Sequence, residues 1–377
     1  MIASPESAPE PRVSPARLVW FASIVFCGVL PAIALIVLFV ATVQDDNLAV
    51  DFRQFYVAGE AIANGESPYS ERDPALWGGP YPYPPLPAQL AMPLVVLPFQ
   101  AAGLIVMATL VLVALAVLFV VGVRDWRCYG LVLLWPPVIS AIQTGNVTLW
   151  LALALALAWR FRDRLLASST SLGVTLAVKF FLWPVLVWMA ATRRYAFAVV
   201  ASVVGAALLL GSWAVIGFDG MRAYPDLVQR LEDTVGEDSY TAYIVGLDVG
   251  LSSAAARSLW LAVGLALLTL VVLLGRRGEE RAAFILAIAA ALSLTPIVWL
   301  HYFALLVVVV ALAQPRLGIV WFVPLGMVLT PGSGHPTPFE TSVTLVVAAA
   351  TIALAVRAAR ASEARGAKHA STSPVRA

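Results

Sequence analysis

Four short stretches of this 377-residue chain set polar side chains among apolar ones. In AVDFRQFYVAGEAIANGESPY, residues 49–69, Asp51 follows closely on a long apolar run. A carboxylate fixed there, at the mouth of the bundle, can do chemistry, and a helix N-terminus lowers the cost of its charge. The plainer role is a helix N-cap, with Gln54 three residues on completing a capping-box-like pair. The two roles are compatible. The second stretch, IQTGNVT, places Gln143 and Asn146 about Gly145, a composition that a tight turn also explains. In the third, Lys179 stands between Val178 and Phe180 with no acidic residue nearby in sequence. Such a lysine needs an anion unless it snorkels to the surface. The fourth, LTPIVWLHYFALL, sets His301 between Trp299 and Tyr302. A Trp and Tyr pair is ordinarily an aromatic belt at a membrane boundary, whereas a histidine between them suits ligand binding or proton handling.

Other chemistries leave no trace in the sequence. It has no Gly-rich phosphate loop followed by Lys and Ser or Thr, no GxSxG, no HExxH and no CxxC. Three scattered histidines and two separated cysteines, Cys27 and Cys128, argue against a dedicated metal site and imply no disulfide framework. Basic residues gather at the ends of apolar runs as topology signals, so no nucleic-acid partner is expected.

The elements that must position these residues are membrane helices. The chain is 61% hydrophobic and 12% charged, against roughly 25% charged in soluble domains. An all-α polytopic membrane protein of about ten to twelve spans follows, with candidate spans near 18–43, 98–122, 128–143, 146–159, 195–216, 257–275, 282–297, 299–313, 317–330 and 340–356. Residues 1–17 and 358–377 are expected to be disordered cytoplasmic tails about a single domain, 18–357.

Arg160, Arg162 and Arg164 precede the apolar stretch 168–191, and Arg193 and Arg194 follow it. A single crossing would divide those clusters between the two faces, so a re-entrant hairpin is expected, with Lys179 near its turn and Pro184 interrupting one arm. Both termini are then cytoplasmic, and two acidic outward loops, about 44–97 and 217–256, carry most of the polar side chains. In the first loop, residues 51–63 have the spacing of an interfacial helix ended at Asn64 and Gly65. The proline-rich run GGPYPYPPLPAQLAMPLVVLP is expected to be extended, presenting Tyr81 and Tyr83 from a stiff backbone.

The order and spacing of DFRQFYVAGEAIANGESPY, YPYPPLPAQLAMPLVVLP, QTGNVTLW, SLGVTLAVKFFLWPVLVWMAATRRY and PIVWLHYFALL resemble glycosyltransferase family 87 from about residue 18 to about residue 356. The resemblance implies the C-type membrane glycosyltransferase fold. It also implies transfer of a sugar, usually mannose, from a polyprenyl-phosphate donor to a lipid-linked or glycan acceptor at the outer face of the plasma membrane, with inversion and no cofactor. In that family an acidic residue soon after the first span is the base, and Asp51 matches it. Candidate substrate contacts are Arg53, Tyr56, Tyr83, Asn146, Lys179, His301 and Tyr302, with Lys179, Arg53 and His301 the candidates for the leaving lipid phosphate. The family commonly has adjacent Gly and Gln where this chain has QTGN, so no donor contact is carried over to Gln143. Transfer of arabinofuranose from the same carrier, a lipid or solute transporter, and a non-catalytic partner subunit are the rival expectations.

Overall fold

The computed structural model describes residues 14–44, 48–69, 81–329 and 336–372, and these are helices, turns and bends with no strand among them. The first helix, α1 (Ala16–Gln44), is apolar throughout and has one π-helical turn at Val25–Val29. Ser14 caps its N-terminus, so the expected tail 1–17 is helical from Pro15 on, and residues 1–13 lie outside the described ones. A short amphipathic helix, α2 (Val50–Ala63), takes the place expected for an interfacial one and buries Phe52, Phe55 and Ala58.

The proline-rich run departs from expectation. Residues 78–80 lie outside the described ones; Pro85–Ala91 forms helix α3, continued by a 3-10 turn at Met92–Leu94. Pro85 opens the helix, where the fixed φ of proline is already helical and a missing N–H costs no bond. Tyr81 and Tyr83, expected to be presented from a stiff extended backbone, are buried against Phe55.

Helix α4 (Phe99–Val121) crosses and ends at Gly122, and the short α5 (Trp126–Val132) returns the chain. Next come α6 (Pro136–Thr144) and α7 (Thr148–Arg160), bent by 117° at Gly145 and Asn146. The expected hairpin over 168–191 is present as α8 (Leu165–Val178) and α9 (Pro184–Ala191), with the break at Lys179 itself. Pro184 interrupts neither arm and instead starts α9. The two ends of the hairpin meet: Arg194 bridges Asp163 at 3.1 Å and Glu280 at 2.9 Å.

Helix α10 (Tyr195–Val215) packs closely on α8, where Gly173 and Gly205 face one another. A surface helix, α11 (Tyr224–Val235), and the short α12 (Ala242–Asp248) lie in the acidic loop over 217–256. They are followed by α13 (Ser253–Arg276), α14 (Glu280–Leu294), and α15 (Leu306–Ala313), the last preceded by a 3-10 segment, Leu300–Leu305. Helices α14 and α15 are apolar on every side and almost wholly buried, as expected of central helices.

The last helix, α16, runs Pro338–Thr372. The tail expected to be disordered from 358 is therefore helical as far as Thr372, because its first polar turns find partners: Arg360 pairs with Glu279, and Glu363 accepts the Arg281 backbone N–H at 2.9 Å. Of all these, α1, α4, α10, α13 and α16 are long and apolar enough to cross a membrane, and the bent pair α6 and α7 adds a sixth span. The other expected spans are shorter apolar helices, with Leu306–Ala313 buried in the bundle and Ile319–Leu329 partly exposed.

Candidate active site

Three breaks in helical structure converge on the start of α2. One is the turn at Gly145 and Asn146, the second is the extended residue Lys179, and the third is the extended Trp299 ahead of the 3-10 segment that carries His301 and Tyr302. Breaks of this kind are tolerated at membrane depth where they line a cavity.

Asp51 is not the N-cap of α2. That position belongs to Ala49, which is buried in a left-handed conformation (φ 45°) and donates its N–H to the Gln143 carbonyl at 3.2 Å. Asp51 is the second residue of the helix, where the positive end of the dipole still favours its charge. Relieved of capping, its Oδ2 accepts a 2.7 Å hydrogen bond from Asn146 Nδ2. Gly145 lets α2 come this close, since a Cβ there would stand 2.7 Å from the Cβ of Phe52.

Asn146 is fully buried, and its orientation is fixed from the other side. Its Oδ1 accepts from the Thr148 backbone N–H at 2.9 Å and from the Thr148 hydroxyl at 2.6 Å, which leaves Nδ2 to face Asp51. His301 places Nδ1 3.9 Å from the same carboxylate oxygen. It too is buried, and its Nε2 has no hydrogen-bond partner among the described residues.

Lys179 donates to the Tyr302 hydroxyl at 2.7 Å, and its ammonium lies 4.1 Å from the Tyr302 ring centroid and 5.1 Å from that of Tyr83. Among the described residues no carboxylate pairs with it. Aromatic faces hold a cation without neutralising it, so this ammonium keeps its charge available for an anion. Asp51, Lys179, Tyr83 and Tyr302 all line one cavity of about 530 Å³. A carboxylate with one bonded oxygen and an unneutralised cation across a shared space can accept a proton and receive an anionic leaving group.

The remaining sequence candidates fall elsewhere. The Arg53 guanidinium lies 4.4 Å from the Phe99 centroid. Tyr56 donates to the Leu97 carbonyl at 2.7 Å and packs edge-on against Phe52 and Phe99, so it anchors α2 to the start of α4. Asn146 contacts the carboxylate, not the cavity.

An aromatic wall made by Tyr69, Trp213 and Tyr224 has no counterpart in any local sequence pattern. Tyr69 and Trp213 stack with centroids 5.0 Å apart, Tyr69 donates to the Tyr83 carbonyl at 2.8 Å, and Tyr224 donates to the Pro82 carbonyl at 2.9 Å. These bonds tie the loop over 217–256 to the segment between α1 and α4. Trp213 and Tyr224 face the cavity, while Trp299 and Gln54 complete its rim. Among the described residues no group of three or more His, Cys, Asp or Glu gathers in a way that would hold a metal ion.

The glycosyltransferase family 87 model matches residues 81–295, a span that holds Asn146 and Lys179 and stops just short of His301. No curated protein matches the chain. No solved structure matches it either.

Proposed function

The chain belongs to glycosyltransferase family 87 and is a membrane glycosyltransferase; on that premise we propose that it transfers mannose from a polyprenyl-phosphate donor to a lipid-linked or glycan acceptor at the extracytoplasmic face. The observation that supports this reading is the sharing of one cavity by a fixed carboxylate, Asp51, and a cation without a carboxylate partner, Lys179.

A sugar hydroxyl is a weak nucleophile. Asp51 Oδ2 is occupied by Asn146, so Oδ1 takes the acceptor proton as the hydroxyl oxygen attacks the anomeric carbon. The bond from that carbon to the phosphate oxygen breaks, and its electron pair leaves with the polyprenyl phosphate. Lys179, held by Tyr302 and Tyr83, stabilises the charge that develops there. Attack in line with departure inverts the centre, so a β-linked donor gives an α-mannoside. His301 stands beside the carboxylate, its Nδ1 3.9 Å from Oδ2 and outside hydrogen-bond reach.

The test is transfer by the purified protein from radiolabelled polyprenyl-phosphate mannose to a membrane lipid extract, beside the Asp51→Asn variant. Labelled glycolipid from the wild type alone is expected. Turnover by Asp51→Asn near that of the wild type would refute the base assignment. Transfer from the arabinose donor only would replace mannose with a pentofuranose.

A further inference from the structure

A groove of about 590 Å³ runs between α13, α14 and α16, away from the catalytic cavity. Its apolar length is set by Ala289 and Leu292 of α14, Leu267 and Leu274 of α13, and Ala349 and Ile352 of α16. Its charged lining residues are Arg357 and Arg360, both at one end. There it meets a second cleft of about 540 Å³ edged by Arg277, Arg357, Arg360, Glu279 and Glu363.

The charges in that cleft do not balance. Arg360 is taken by Glu279, and Glu363 accepts the Arg281 backbone N–H. Arg277 and Arg357 are exposed and form no ion pair among the described residues. Direction along the membrane follows from α14, whose first residue, Glu280, lies at the arginine end and whose last precedes Thr295 at the catalytic cavity. Its 15 residues span about 22 Å at the α-helical rise, more than the ~15 Å of one leaflet's share of the hydrocarbon core.

We propose that this groove binds an anionic glycerophospholipid of the leaflet opposite the catalytic cavity, with an acyl chain along the groove and the phosphate between Arg277 and Arg357. The chain chemistry matches the apolar walls. The headgroup chemistry matches a cleft whose three arginines face two glutamates, two of the guanidiniums forming no ion pair among the described residues; guanidiniums bind phosphate with fixed fork geometry. A zwitterionic headgroup would bring its own cation against them. The extension of α16 beyond its apolar part is then functional, since it carries Arg357 and Arg360 to the headgroup level.

The test uses full-length protein in neutral detergent with added phosphatidylglycerol, phosphatidylcholine or glycerophosphate, read by native mass spectrometry and by thermal unfolding. Phosphatidylglycerol is expected to remain bound and to raise the unfolding temperature, with phosphatidylcholine and glycerophosphate giving no comparable shift. In the Arg277→Gln, Arg357→Gln double variant the affinity should fall by about tenfold or more. Ala349→Trp, which fills the groove from an exposed position and leaves both arginines in place, should abolish the shift. Equal stabilisation by both lipids would reduce the groove to an annular contact and overturn the proposal. So would full effect from glycerophosphate alone, or an undiminished shift in either variant.

Discussion

Asn146 and Asp51 lie 95 residues apart in sequence and are joined by a 2.7 Å hydrogen bond from amide to carboxylate. The bond has one possible direction, because Thr148 occupies the amide oxygen with both its backbone N–H and its hydroxyl. A turn residue thus fixes which oxygen of Asp51 faces the cavity.

Asn146→Ala removes that fixation without touching the reacting atoms. Turnover should fall on the order of 100-fold, the scale expected when a catalytic group loses its alignment, while the apparent KM for the donor changes little. Thr148→Val removes the hydroxyl donor but keeps the backbone N–H on the amide oxygen, so it loosens the amide without freeing it and should cost less. In the double variant the losses should fall short of their product, since both act through one bond. Measured kcat values for the four proteins decide it; multiplicative losses would mean that the residues act separately.

Lys179→Met tests the anion site. With the ammonium gone, donor KM should rise by about tenfold or more, the usual scale for losing a charge-assisted phosphate contact. Lys179→Arg should rescue poorly, because a planar guanidinium cannot take the place of a compact ammonium between the Tyr83 and Tyr302 rings. An unchanged donor KM in Lys179→Met would leave the lysine a structural role only.

Much of this arrangement was legible in the sequence, and the misses have physical causes. Apolar runs and basic clusters predicted the helices and the hairpin, because desolvation of backbone and charge acts on composition directly. Lys179, His301 and Tyr302 stood out since polar groups in apolar runs need partners. The N-cap reading of Asp51 failed because Ala49 takes a left-handed conformation that its residue type does not advertise, held by the Gln143 carbonyl from a distant turn. The proline content of Pro85–Ala91 points to an extended run, but position overrides content, since in a first turn proline favours a helix. Arg53 and Tyr56 sit beside Asp51 in sequence, but helical geometry turns them toward Phe99. The wall of Tyr69, Trp213 and Tyr224 joins two loops, and no local pattern encodes such a meeting.

The base of the hairpin offers a stability test independent of activity. Arg194 binds Glu280 through two hydrogen bonds of 2.9 and 3.1 Å and also reaches Asp163. Arg194→Met should lower the unfolding temperature by several degrees, since it leaves partly buried Glu280 short of a partner. Glu280→Gln in the same background should add little, both substitutions having removed one network. Donor KM in either variant should stay near the wild-type value, the network lying at the end of α14 away from Thr295. A thermal melt indistinguishable from that of the wild type would show that the pair contributes nothing measurable.

Gly145→Ala separates the scaffold from the chemistry. The residue has φ 68°, a region where alanine is strained, and the added Cβ would stand 2.7 Å from Phe52 Cβ and 3.1 Å from Ala49 Cβ. Both neighbours belong to the start of α2, so relief requires that helix to move away from the turn. Strain and displacement together should destabilise the protein by about 1–3 kcal/mol, visible as a lower unfolding temperature. The same movement lengthens the bond between Asn146 and Asp51, so kcat should drop even at temperatures where the variant remains folded. If the variant melted early yet turned over normally below its transition, α2 would be free to shift without carrying Asp51 out of register, and the close packing at Gly145 would serve stability alone.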